Sequence, residues 1–217
     1  ARPAPRFHIA FMPALPRGLY LLTPETADTA ALLRLVDAAI AGGTVLVQYR
    51  DKSVDGPRRL QQAAQLQALC RAQGVPLIVN DDAKLAQAVG AAGVHLGEHD
   101  GDIAAAKALL GADAIIGASC YESLDRAAAM AAAGADYLAF GSFYPSPTKP
   151  AARRAEPALL RAAARFGKPR VAIGGITPDN ALALVEAGAD LLAVISAVSD
   201  AADPRAAAQA FARLYQT

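Results

Sequence analysis

The sequence predicts a single-domain α/β protein folded as a (β/α)8 barrel. Three observations carry that prediction. Eight short apolar runs alternate with Ala- and Leu-rich stretches of helical period. Strand–helix alternation implies parallel strands, because the chain must cross back after each one. The length of 217 residues suits one such barrel and leaves ample chain for a hydrophobic core. An open doubly wound sheet is the alternative, but it ordinarily uses fewer strands.

The apolar runs lie at 19–22, 46–48, 77–79, 94–96, 115–117, 137–140, 171–173 and 191–195. Helices are expected near 27–41, 55–73, 82–91, 102–110, 123–133, 157–166, 179–187 and 202–214, where alanine favours helix. The turns into the even-numbered strands read Ala41-Gly42-Gly43, Ala92-Gly93, Ala133-Gly134-Ala135-Asp136 and Ala187-Gly188-Ala189-Asp190. Each glycine is expected just past a helix end, where positive φ is needed. Strands three and seven follow Gly74-Val75-Pro76 and Gly167-Lys168-Pro169, whose prolines stop the helix. Residues 1–17, rich in Pro and Arg, read as an extended leader, and 18–217 as the catalytic barrel.

Composition excludes several classes. Hydrophobic residues make up 54% and charged residues 19%, which argues against disorder. A formal net charge of +1 gives no overall attraction to nucleic acid or anionic lipid, so neither is expected as a partner. No apolar run reaches the ~18 residues of a membrane span. Cys70 and Cys120 form no disulfide framework and no metal spacing, so a reducing cytoplasm is the expected location. The sequence leaves a homo-oligomer open.

Barrel chemistry gathers at the C-terminal strand ends. There the chain places Gln48, Arg50 and Lys52, which share one side of an extended segment. An amide, a guanidinium and an ammonium together suit a polyphosphate, although a solvated charged loop reads equally well from this segment alone. Asn80-Asp81-Asp82 follows strand three. Asp82 is a natural helix N-cap, whereas Asp81 can pair with Asp100 beyond strand four. Two carboxylates of that kind suit Mg2+, which keeps water and takes phosphate oxygens; helix capping is the plainer reading of each alone. Gly174-Gly175 after strand seven and Ile195-Ser196 after strand eight occupy the usual barrel phosphate position. The loop Phe143 to Lys149, stiffened by Pro145 and Pro147, can cover the mouth and carry Lys149 inward. His95 reads more readily as structural, and Cys120 has no evident base beside it.

Taken in order, several segments resemble the thiamine phosphate synthase family. They are Gln48-Tyr49-Arg50-Asp51-Lys52, Val79-Asn80-Asp81-Asp82, Gly93-Val94-His95-Leu96-Gly97, Gly117-Ala118-Ser119, Gly141 through Lys149, and Ile173-Gly174-Gly175-Ile176. The resemblance spans nearly the whole barrel. It implies a transferase that joins an aminopyrimidine diphosphate to a thiazole phosphate with loss of pyrophosphate. It implies that Gln48, Tyr49, Arg50, Asp51, Lys52, Asn80, Ser119 and Lys149 hold the pyrimidine diphosphate. Arg50, Lys52, Ser119 and Lys149 are then the catalytic set. Asp81 and Asp100 would ligate Mg2+, and Ser146, Pro147, Thr148, Gly175, Ile195 and Ser196 would hold the thiazole phosphate. The chain departs from the family pattern at Ala92, Glu98 and Tyr121, where Asp, Gln and His are common; none of these removes an expected Mg2+ ligand.

Two other readings compete. A thiazole phosphate tautomerase needs neither the pyrophosphate grip nor the acidic pair. A non-catalytic barrel that senses thiamine phosphate would release no pyrophosphate over many turnovers.

Overall fold

The computed structural model describes residues 15–145 and 154–216. Eight parallel strands close into a barrel in sequence order. They are β1 (Gly18–Leu22), β2 (Thr44–Tyr49), β3 (Leu77–Asn80), β4 (Gly93–Leu96), β5 (Ile115–Tyr121), β6 (Tyr137–Gly141), β7 (Arg170–Ile173) and β8 (Leu191–Val194). Strand β8 pairs with β1, which closes the ring. The outer helices are α1 (Thr29–Ala41), α2 (Gly56–Ala72), α3 (Ala83–Val89), α4 (Ile103–Leu110), α5 (Leu124–Ala132), α6 (Pro157–Ala163) and α7 (Pro178–Glu186). A four-residue helix, α8 (Ser196–Ser199), precedes α9 (Pro204–Arg213). The sequence pattern places every long element; α8 is too short to show a period.

Strand alternation divides the core in two. Leu19, Leu21, Val47, Val79 and Phe140 face the helices and meet Leu32, Leu66, Leu160 and Phe211. Tyr20, Leu22, Leu46, Ile78, Tyr137, Val171 and Leu191 fill the barrel interior. Truncating a fully buried side chain such as Leu66 would cost about 2–5 kcal/mol, since the close-packed layer relaxes only in part.

Capped helix starts fix where each loop ends. Asp28, Asp55, Asp82, Asp102, Ser123 and Asp203 each accept a backbone N–H three residues ahead. Each such cap contributes about 1 kcal/mol. At the opposite end of the barrel, the aspartates of the Ala-Gly-Ala-Asp turns act as staples. Asp136 accepts the Ile116 N–H at 2.7 Å, and Asp190 accepts the Arg170 N–H at 2.9 Å. Those turns therefore serve the fold.

One glycine expectation needs correction. Gly90, at φ 66°, ends α3, and Gly93 is already the first residue of β4. A Cβ on Gly93 would run into the Ile115 carbonyl, so that glycine permits close strand approach. The first glycine of the Ala41-Gly42-Gly43 turn is likewise right-handed, and Gly43 takes the positive φ. No helix among the described residues is long and apolar enough to cross a membrane.

Candidate active site at the barrel mouth

A cavity of about 830 Å3 opens at the C-terminal ends of the strands. Its wall begins on β2. Thr23 accepts the Arg50 backbone N–H at 2.9 Å, which fixes the end of that strand against β1. Gln48, Arg50 and Lys52 all line the cavity, as the shared side of an extended segment requires. Among the described residues no carboxylate pairs with the Arg50 guanidinium.

The side chains of Tyr49 and Asp51, expected to hold diphosphate with their neighbours, do not line the cavity. They occupy the other side of the same segment and are buried against α2. The Tyr49 hydroxyl donates to Gln62 at 2.9 Å. Asp51 accepts the Ser53 N–H at 2.7 Å and pairs with Arg58 at 3.2 Å. Burial works to raise the Asp51 pKa, but the Ser53 hydrogen bonds and the Arg58 charge outweigh it and hold the carboxyl below its usual range. The two side chains brace the loop that carries Arg50 and Lys52.

Capping explains Asp82 and Asp102 but not Asp81 or Asp100. Asp81 has φ 62°, a left-handed conformation that aspartate tolerates, and its N–H donates to the His95 carbonyl at 2.8 Å. Its carboxylate lies 3.2 Å from the Lys52 ammonium. Asp100 accepts the Gly97 N–H at 2.9 Å. Both carboxylates line the cavity with Asn80. The Asp100 pKa is raised, first by burial and then by the hydrogen bond and charge of Asp81. The two carboxylates, with Lys52 as partial neutraliser, form a donor set suited to a hard divalent cation and phosphate oxygens.

The far wall comes from the last two strands. Gly174 and Gly175 take φ 106° and 61°, and both line the cavity with Ile195 and Ser196. Ser196 opens α8, so the loops after β7 and β8 and a short extra helix meet here, as in barrel phosphate sites generally. Ser119 reaches the cavity from β5. Ser146, Pro147, Thr148 and Lys149 lie outside the described residues.

Three side chains at or beneath the wall had no site role in the sequence reading. Arg126 donates to the carbonyls of Ser119 at 2.6 Å and Gly97 at 3.3 Å, clamping the ends of β5 and β4 together. Its guanidinium lies 5.9 Å from the ring centre of Tyr121. Tyr20 lines the cavity floor, and Tyr137 is buried beside it. Interior tyrosines look like core in a strand pattern, and Arg126 looks like a solvated helix residue, so neither gave a signal. His95 is buried and shares hydrogen bonds with Tyr137 and Ser119.

This arrangement defines a (β/α)8-barrel enzyme of the class that acts on small phosphorylated molecules at the C-terminal rim. The chain belongs to the thiamine monophosphate synthase family, whose model matches residues 19–198. It is 61% identical over 195 residues to a thiamine-phosphate synthase of Xanthomonas campestris pv. campestris (strain 8004), covering 90% of this chain and 94% of the relative. It is 57% identical over 201 residues to one from Chromobacterium violaceum, covering 93% and 97%. A solved thiamine phosphate pyrophosphorylase from Pyrococcus furiosus superposes with a TM-score of 0.81 at 34% identity, covering 92% of this chain and 95% of that one. A solved 3-hexulose-6-phosphate synthase, at 20% identity and TM-score 0.66 over 91% and 99% of the chains, shares the fold.

Proposed function

We propose that the mouth condenses an aminopyrimidine methyl diphosphate with a thiazole phosphate, giving thiamine phosphate and pyrophosphate. The observation that carries this reading is the meeting of two anion sites across one cavity. Arg50, Lys52, Asn80, Asp81 and Asp100 come from the β2, β3 and β4 ends, and Gly175, Ile195 and Ser196 come from β7 and β8.

The reaction needs no enzyme nucleophile. The pyrimidine CH2–O bond breaks, and its electron pair leaves with the diphosphate oxygen. The aminopyrimidine ring stabilises the resulting cation. The thiazole nitrogen then gives its lone pair to the CH2 carbon, and no proton moves in that step. Arg50 and Lys52 stabilise negative charge on the departing group, and Lys149 is assigned the same task. Gly175 and Ser196 hold the thiazole phosphate, so that the nucleophile waits at close range. Asp81 and Asp100 would hold Mg2+, which when bound supplies Lewis-acid neutralisation of pyrophosphate. A reducing cytoplasm suits the two free, buried cysteines.

Incubation with both phosphorylated heterocycles, with and without Mg2+, tests the reading. Thiamine phosphate and pyrophosphate should form in equal amounts over many turnovers, only with Mg2+. Asp81→Ala and Lys149→Ala should each reduce the rate. Full turnover in both variants, or no product from the intact chain, would refute it.

A further inference from the structure

A continuous row of polar groups crosses the floor of the barrel beneath the cavity. The Gln48 amide nitrogen donates to the Tyr20 hydroxyl at 2.6 Å. The hydroxyls of Tyr20 and Tyr137 are 2.7 Å apart. The Tyr137 hydroxyl lies 3.0 Å from His95 Nδ1, and His95 Nε2 lies 2.9 Å from Ser119 Oγ. Five strands contribute: β1, β2, β4, β5 and β6. Gln48, Tyr20, His95 and Ser119 line the cavity, but Tyr20 and Tyr137 are at most 1% exposed, so neither hydroxyl is open to solvent.

Hydrogen bookkeeping gives this row one direction. With the Gln48 amide nitrogen facing the tyrosine pair, Tyr20 accepts from it, and the Tyr20 hydrogen goes to Tyr137. Were Tyr137 to donate to Tyr20 instead, the enclosed Tyr20 hydrogen would be left without an acceptor, which is costly in a buried site. Tyr137 therefore donates to His95 Nδ1. That makes His95 the tautomer protonated at Nε2, which donates to Ser119 Oγ. The Ser119 hydrogen is then free to point into the cavity.

The fold makes room for the row. A Cβ on Gly117 would collide with the ring end and hydroxyl of Tyr137, so glycine in β5 leaves the space that Tyr137 fills. The Tyr137 and His95 rings are nearly parallel, with 15° between planes and centres 5.5 Å apart.

We propose that Tyr20, Tyr137 and His95 are positioning residues for the heterocycle. The row fixes Ser119 as a donor to a ring acceptor on one wall, and the Gln48 carbonyl oxygen as an acceptor from a ring donor on the other. The proposal rests on the reading that this cavity takes an aminopyrimidine, which offers both a ring nitrogen acceptor and an amino donor. A heterocycle that presents two acceptors or two donors at these walls would leave one end unmatched.

Histidine labelled with 15N reads the tautomer directly, with the His95 signals identified by their loss in His95→Gln. The wild-type chain should show His95 neutral and protonated at Nε2. Tyr137→Phe removes the donor to Nδ1 and should mix the two tautomers. It should also raise KM for the pyrimidine diphosphate roughly tenfold while leaving KM for the thiazole phosphate unchanged. Should Tyr137→Phe fail to fold, Tyr20→Phe frees the Gln48 amide and should raise KM for the pyrimidine diphosphate alone, while Tyr137 keeps the His95 tautomer. Protonation of His95 at Nδ1 in the wild type, a tautomer unmoved by Tyr137→Phe, or an equal rise in both KM values would overturn the proposal. The spectrum needs no turnover. An inactive chain would sink the synthase reading while the tautomer result stood on its own.

Discussion

Gly175→Ala separates two costs that usually travel together. Gly175 sits at φ 61°, where an L side chain loses about 1–2 kcal/mol. The added Cβ also meets the Tyr144 carbonyl carbon and oxygen at 2.8 Å, with the Pro145 oxygen closer still. Ordinary contact begins at 3.4 Å, so the backbone at 144–145 and the Gly175 loop must part by roughly 1 Å. The strain alone should lower Tm by roughly 2–8 °C for a chain of this size. The displacement moves one wall of the thiazole phosphate site, and a shift on that scale costs about a hundredfold in turnover efficiency. Gly90→Ala is the matched control, since it has φ 66° and nothing within 4 Å of the added Cβ. It should reproduce the Tm loss without the kinetic loss. Pyrophosphate release and thermal melts on both variants provide the assay. Wild-type kinetics in Gly175→Ala, or equal kinetic losses in the two variants, would refute the assignment of that loop to phosphate.

Three further predictions follow from other parts of the barrel. Buried His95 has a folded-state pKa of about 4 against 6.5 when free, so between those values the unfolded chain binds the extra proton. Stability should therefore fall by about 3 kcal/mol as pH drops from 6.5 to 4, and urea melts of His95→Gln should show that slope flattened. Asp51→Ala removes one partner of Arg58 and the acceptor of the Ser53 N–H while Asp55 and Ser53 still hold Arg58, and should cost about 1–3 kcal/mol, seen as a lower Tm. Its KM for pyrimidine diphosphate should rise less than that of Arg50→Ala, because Asp51 braces the loop and does not face the cavity. Cys70 and Cys120 are buried, and burial pushes both thiols up to about 12. Neither should react with a thiol reagent until the chain unfolds, when both should.

The barrel was legible because its signals are local and repeated. Apolar runs recur eight times, and capping aspartates (Asp28, Asp55, Asp82, Asp102 and Asp203) and turn glycines mark the ends of many helices between them, each reporting on its own neighbourhood. The Gln48, Arg50, Lys52 face was legible for the same reason: alternation in an extended segment is a short-range rule. The same rule turns the Tyr49 and Asp51 side chains to the opposite side, where Gln62 and Arg58 receive them. Asp81 stood out because Asp82 suits the helix cap, and Asp100 because it can pair with Asp81; that Asp102 caps the next helix is visible only in the structure. The floor was not legible. Tyr20, His95 and Tyr137 come from three strands far apart in sequence, and their hydroxyl and ring contacts exist only after the barrel closes. Arg126 belongs to the same case, since a helix residue three positions past a Ser cap gives no hint of the two carbonyls it reaches.

A crystal structure of the protein with Mg2+, pyrophosphate and thiamine phosphate tests the central claim most directly. The account predicts pyrophosphate against Arg50, Lys52 and Asn80, the metal on Asp81 and Asp100, and the product's phosphate at Gly175 and Ser196 across the same cavity. Binding of both phosphate groups on one wall, or a metal held away from Asp81 and Asp100, would contradict it.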